Sequence, residues 1–140
     1  MIRRLTNDER DRYDHVPPAL SSRVRIVSLG LLLPGVDGLT LGPIIVVRHD
    51  RDRSGRRDLL AHELVHVAQY HQHGWTRFLR SYLGGYLRAR WSGMSHRDAY
   101  LNLPAEIEAR KETDRWRSTR LSDEGHRPQL GAEEPPTAEP

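Results

Sequence analysis

The chain has 140 residues, 22 basic against 19 acidic side chains and 36% apolar residues, which is enough for one small domain and too little for two. It contains no cysteine, which excludes disulfide staples, thiolate metal sites and cysteine nucleophiles, so any metal must rest on His and carboxylate. Residues 121–140 hold five acids against Arg127, a net of −4 that leaves the first 120 residues at +7, and among all the basic residues only Lys111 is lysine. An Arg-rich body of this kind reads first as solvated faces and second as a contact for nucleic acid or an acidic partner.

The N-terminus is charged, with no apolar stretch behind its arginines, so no secretory leader is expected. The greasiest segment, residues 24–36, is interrupted by Arg25, Ser28, Gly30 and Pro34 and is shorter than the ~20 residues a spanning helix needs. A soluble, cytoplasmic protein without a membrane partner is the expectation. Residues 1–22 are polar, end in a Pro-rich step and predict an arm or short helix leading into the domain.

Val24, Ile26 and the run 29–33 suggest a first strand, and residues 34–38 carry turn chemistry. Residues 39–41 and 44–47 then read as short strands broken at Gly42 and Pro43, so a small antiparallel sheet is predicted. From 56 to 72, Leu60, Leu64, Val67 and Ala68 recur at helical spacing, with Leu59 and Val65 widening the stripe and Gly74 ending it. A second amphipathic helix follows from Trp75, carrying Phe78, Leu79, Tyr82, Leu83, Tyr86 and Leu87 on one side and Arg77, Arg80, Arg88 and Arg90 on the other. Gly84 and Gly85 lie inside it at roughly 1 kcal/mol each against Ala, which predicts close helix packing or a kink. Ser95 caps a short turn through Leu101, and Asn102 and Pro104 start a last helix running to 117 or 121. The Pro-rich, acidic tail 122–140 lacks the apolar surface to order itself. The expected class is α+β, a small antiparallel sheet on three to four helices, with the domain at 23–121.

One segment carries chemistry: His62-Glu63-Leu64-Val65-His66. Two His four residues apart project from one helix face, one turn above the other, so both imidazoles can reach a single Zn²⁺. Glu63 lies about 100° round from His62, beside the ion rather than on it, where a carboxylate can take a proton from water. The surrounding helix is apolar, and two unpaired imidazoles with a carboxylate are costly there without a ligand. Gln69 and Gln72 stand where a metzincin needs Gly and His, which excludes that branch, and His71 and His73 read as a solvent-facing helix end.

HExxH on one helix followed by ExxA on a later one, here Glu106 with Ala109, resembles the gluzincin branch of zinc metallopeptidases. The longer string, with Gln69, Tyr100, Pro104, Glu106, Glu108 and Ala109, is similar to small, mostly uncharacterised bacterial proteins of that type. The resemblance spans residues 39–112 and implies a minimal zincin-like domain with His62, His66 and Glu106 on zinc. It further implies hydrolysis of peptide bonds by a metal-activated water with Glu63 as general base. It also implies that residues 39–41 or 44–47 form the edge along which an extended peptide substrate binds. Arg110 departs from the pattern, because related chains often place Asp or Asn there to brace a motif histidine. Glu108 is the reserve, as that outer acceptor or as the ligand itself. Glu106 and Glu108 differ by roughly 200° of helical rotation, so only one can face the ion. Tyr82, Tyr86, Tyr100 and His96 are candidate donors to a developing oxyanion.

The alternative is a non-catalytic module in which zinc stabilises the fold while the Arg-rich surface binds nucleic acid or an acidic protein. A nucleic-acid binder without metal has only charge in its favour, since no stacking motif or groove-reading helix is apparent.

Overall fold

The computed structural model describes residues 1–32 and 35–125. In chain order the elements are β1 (Ile2–Arg3), α1 (Asn7–Arg12), α2 (Pro18–Ser21), β2 (Arg25–Ser28), β3 (Gly38–Leu41), β4 (Ile44–Val47), α3 (Asp58–His73), α4 (Trp75–Trp91), α5 (His96–Leu101) and α6 (Pro104–Gly125). The class is α+β, as the alternation of period-2 and helical patterns predicts. Leu33 and Pro34, which the sequence places at the end of a strand and in a turn, lie outside the described residues, as does the tail from 126 to 140. The last helix continues through Gly125, past the expected end at 121.

The sheet runs β1-β2-β4-β3 and is mixed rather than wholly antiparallel. β1 pairs antiparallel with β2, and β3 antiparallel with β4, but β2 and β4 are parallel, with Ile26 opposite Ile45. The β3–β4 hairpin explains the difference. The chain leaves β2, crosses to the far edge as β3 and turns back, so β4 and not β3 meets β2. Composition selects this arrangement, because β4 is apolar throughout and suits an inner strand, with Ile45 and Val47 wholly buried, whereas Gly38-Leu39-Thr40-Leu41 tolerates an edge.

α3 lies across this sheet and under α6 and is buried on several faces, with Leu60, Ala61, Leu64 and Val67 joining Val24, Ile26, Ile45 and Val47 in the core. Gly74, at φ +80°, lets the chain leave α3 and enter α4 directly, a conformation L side chains rarely adopt. Within α4, a Cβ on Gly85 would stand 3.0 Å from a Leu103 methyl, so the glycine answers to close packing.

Of the two forms expected for the first 22 residues, an arm or a short helix, the structure has short helices, and they pack into the domain. Leu5, Tyr13 and Val16 belong to the core, and Tyr13 packs against Trp116 of α6 with ring centroids 5.3 Å apart. The Trp116 indole donates to the Arg12 carbonyl at 2.7 Å. Thr6 and Glu9 form a reciprocal capping box that starts α1. A buried ion cluster fixes the segment. Arg3 donates to Glu9 through two nitrogens, at 2.6 and 2.8 Å, and forks onto both oxygens of Asp50, which also meets Arg57 at 3.3 Å. The side chains of Glu9 and Asp50 are 0% and 4% exposed, so two buried carboxylates share the Arg3 guanidinium, with Arg57 a second, longer partner for Asp50.

Removing that guanidinium leaves buried Glu9 without a cation and Asp50 with only its longer contact to Arg57. Arg3→Ala is expected to lower unfolding free energy by about 3–5 kcal/mol in urea denaturation at pH 7, and Arg3→Lys to recover only part, because an ammonium cannot fork. The hydrogen bond from Arg3 holds the Asp50 carboxyl below its ordinary 3.8 against the cost of burial. A depressed folded value stabilises above the unfolded one, so this contribution is complete at neutral pH and fades as pH falls below about 4. The gap between wild type and Arg3→Ala should narrow over the same range.

Candidate metal centre

His62 and His66 project from adjacent turns of α3, and Glu106 enters from the first turn of α6. The two imidazole Nε2 atoms are 3.2 Å apart, His62 Nε2 is 3.0 Å from Glu106 Oε2, and His66 Nε2 is 3.1 Å from Glu106 Oε1. Ligand atoms on a tetrahedral ion at ~2.0–2.1 Å stand about 3.3–3.4 Å from one another, so the spacing is that of ligands around one small cation. Glu106 and His66 are 1% and 6% exposed, which makes this a nearly dry cluster.

The tautomer of His66 fits the same role. Gln69, one turn on, donates its amide to the Ala105 carbonyl at 3.1 Å and to Glu108 Oε2 at 2.7 Å. Its oxygen is thereby turned toward His66 Nδ1, 2.7 Å away, which must carry the proton. His66 Nε2 then faces Glu106 and the second imidazole, donating to Glu106 while it carries a proton and presenting, once that proton is given up, the lone pair a metal ligand requires. Glu108 is exposed and reaches this shell only through Gln69, so Glu106 is the residue brought to the histidines. The brace that Arg110 cannot supply is an amide on the metal helix itself. The sequence carried this signal as a Gln three residues after a motif His, on the same helical face, but Gln69 entered the reading above as part of a resemblance and as an exclusion of another family, with no role as a brace.

Burial opposes the charge on Glu106, yet the hydrogen bonds from His62 and His66 and the 2.7 Å bond from the Tyr82 hydroxyl outweigh it and hold the carboxyl well below the usual carboxylate range. Tyr82, expected as a donor to substrate, is therefore committed to Glu106. Burial first, and then the Glu106 charge, push the hydroxyls of Tyr82 and Tyr100 upward, so both remain protonated donors. Tyr86 pairs instead with His96 Nδ1 at 2.7 Å. His71 and His73 are exposed at the end of α3 and stay out of the cluster, as their spacing predicts.

Glu63 is 4% exposed and is not among the three converging residues. The Thr40 hydroxyl, from β3, contacts both the Glu63 carbonyl at 3.0 Å and Oε2 at 2.7 Å. The other oxygen lies against Gly38, where a Cβ would come within 2.6 Å. Gly38 is thus the space into which the carboxylate fits, and the strand before the helix sets its position. Burial pushes the Glu63 carboxyl up, partly offset by the imidazoles and the Thr40 bond. Neither Gly38 nor Thr40 is predictable as a site residue from local pattern alone, because the pairing of β3 with α3 is a tertiary fact.

The cluster opens on a cleft of about 500 Å³, walled by β3 and the preceding turn on one side and by Phe78, Leu79, Tyr82 and Leu83 of α4 on the other, with His96 and Tyr100 at its end. β3 is an edge strand. The Arg48 amide donates to the Asp37 carbonyl at 2.9 Å, which marks that pair as hydrogen-bonded. By antiparallel alternation Gly38 and Thr40 then turn their backbone groups away from β4.

A family model described as the eCIS core domain matches residues 34–74, less than a third of the chain. The match takes in the β3–β4 hairpin and α3 with both histidines and Glu63, but ends before Glu106. No curated protein and no solved structure matches the chain.

Metal analysis of purified protein is expected to give a single divalent ion per chain, lost in His62→Ala and in Glu106→Gln and kept in Glu108→Gln; retention after Glu106→Gln would reassign the third ligand. Gln69→Leu should fold, as judged by circular dichroism, yet bind the ion about 10–100-fold more weakly in chelator competition.

Proposed function

We propose that the chain is a zinc-dependent metallopeptidase of gluzincin type, with His62, His66 and Glu106 holding the ion and Glu63 acting as general base. The observation that carries this reading is Glu63 itself: a buried carboxylate beside the ligand set, in the same cleft, held by Thr40 and given room by Gly38. A site that only stabilises a fold has no use for a carboxylate it does not bind, whereas hydrolysis needs a proton acceptor within reach of water. Two imidazoles and a carboxylate, with no thiolate available, form the ligand set typical of catalytic zinc. When bound, the ion supplies Lewis acidity, lowering the pKa of water toward ~7 and polarising a carbonyl.

The protein's own groups divide the remaining work. Glu63 accepts a proton from water and passes it to the leaving amine, with Thr40 fixing one carboxylate oxygen so that the other handles the proton. Tyr82 and Gln69 hold Glu106 and His66 in place through single hydrogen bonds of 2.7 Å. Tyr100, like Tyr82, is drawn to Glu106, so the remaining donor to a developing oxyanion in the cleft is the Nε2 of His96, whose Nδ1 is taken by Tyr86. An extended peptide segment would add to the outer edge of β3, its backbone meeting Gly38 and Thr40. The apolar wall of Phe78, Leu79 and Leu83 favours apolar side chains next to the scissile bond.

Glu63→Gln tests the assignment. The variant should keep its ion in metal analysis while cleavage of a fluorogenic peptide library by the zinc-loaded protein falls by about 10²–10⁴-fold. Full activity in Glu63→Gln would remove it as the base, and absence of cleavage by wild type across the library would leave the metal centre without this activity.

A further inference from the structure

α4 has a second face that the metal centre does not use. Phe78 and Tyr82 turn inward, while Leu83, Leu87 and Trp91 recur every four residues on the outside and are 53%, 54% and 90% exposed. Three large apolar side chains in line along one helix are a patch rather than scattered exposure. Arginines surround them: Arg77, Arg80, Arg88 and Arg90 are all exposed, and Arg97 follows at the start of α5. From Leu64 to Arg97 the sequence contains no Asp or Glu. Among the described residues none of the guanidinium groups of Arg77, Arg80, Arg88 and Arg97 has an ion-pair or hydrogen-bond partner, whereas Arg117 and Arg120 of α6 are paired with Asp58 and Asp14. Positive charge is therefore concentrated and unneutralised around one apolar stripe.

Two occupants fit a basic amphipathic helix: the groove of another protein or an anionic bilayer. The dimensions favour the bilayer. Three side chains fall well short of the ~800 Å² per partner that a stable protein interface buries, and the stripe is convex. Shallow insertion needs only a few apolar groups with cations beside them. Trp91, at the C-terminal end of the stripe and 90% exposed, is a ring suited to the boundary between headgroups and acyl chains.

We propose that the outer face of α4 is a peripheral docking surface for an anionic lipid bilayer, with Leu83, Leu87 and Trp91 entering the interface and the surrounding arginines meeting lipid phosphates. No described helix is long and apolar enough to cross a membrane, so the contact is one of surface and not of span. The expectation of no membrane partner rested on the missing span and took no account of this face. The inference is independent of the peptidase reading, since nothing in it requires the metal centre. It does set the cleft beside the bilayer, because Leu83 belongs to both the cleft wall and the stripe.

Co-sedimentation of the full chain with vesicles tests it. Binding is expected to vesicles containing phosphatidylglycerol, with little to pure phosphatidylcholine, and it should weaken as salt rises. A blue shift of tryptophan emission should accompany binding and be lost in the Trp91 variant, because Trp91 is exposed on the stripe while Trp116 is already buried. Leu87→Ser/Trp91→Ser and Arg80→Glu/Arg88→Glu alter only exposed positions, should keep the wild-type circular dichroism, and should each bind about tenfold more weakly or less. Failure of wild type to bind the anionic vesicles, equal binding to both vesicle types, or binding unchanged in both variants would overturn the proposal. So would wild type that ignores vesicles and instead self-associates in gel filtration through Leu87 and Trp91, since the stripe would then belong to a second copy.

Discussion

Everything around α3 answers to one electrostatic constraint: two imidazoles and two carboxylates lie in a nearly dry interior, where a polar group without a partner costs several kcal/mol. Glu63, His66 and Glu106 are all under a tenth exposed, and each is held by a group from a different element. Thr40 of β3 takes Glu63, Gln69 of α3 takes His66, and Tyr82 of α4 takes Glu106. At the centre the imidazole Nε2 atoms and the Glu106 oxygens face one another at 3.0–3.2 Å and partner each other. These three side chains are placed so that they could hold one metal ion together.

The same constraint explains features that packing alone does not. Gly38 is required because the Glu63 carboxylate occupies the volume of its missing side chain. Glu108, though exposed, is tied to the site because it orients the Gln69 amide, and that amide leaves His66 a single tautomer. Amide in place of carboxylate is a meaningful choice. A neutral acceptor orients the imidazole without adding a further negative charge to a cluster that already holds Glu63 and Glu106.

Local periodicity made α3, α4 and the paired histidines legible, because two His at i and i+4 share a face whatever the rest of the fold does. The rotation between Glu106 and Glu108 allowed only one of them to face the ion, and burial chooses Glu106: it sits one helical turn before the buried Ala109, while Glu108 is turned to solvent. The sheet was less legible. Period-2 patterns identify strands but not partners, and the parallel β2–β4 pair arises from a hairpin that reaches the far edge first. The N-terminal segment looked like an arm because its contribution is one apolar residue at a time, Leu5, Tyr13 and Val16, joined by an ion cluster whose third member, Asp50, is 47 positions from Arg3 in sequence. No window of local composition contains that contact.

α4 shows how much a short chain can ask of one helix. Its inner side supplies Phe78 to the floor of the metal centre and Tyr82 to Glu106, and Gly85 lets the segment before α6 approach closely. Those demands fix about half of the helix surface and leave the outer half without a packing role. Among the described residues no further layer covers it, so what stands there is set by solubility or by a partner. Solubility alone favours mixed charge and few large apolar groups. The outer half instead carries arginines without acids and leaves Leu83, Leu87 and Trp91 uncovered, a departure whose cost in water is unopposed unless something apolar and negatively charged meets it.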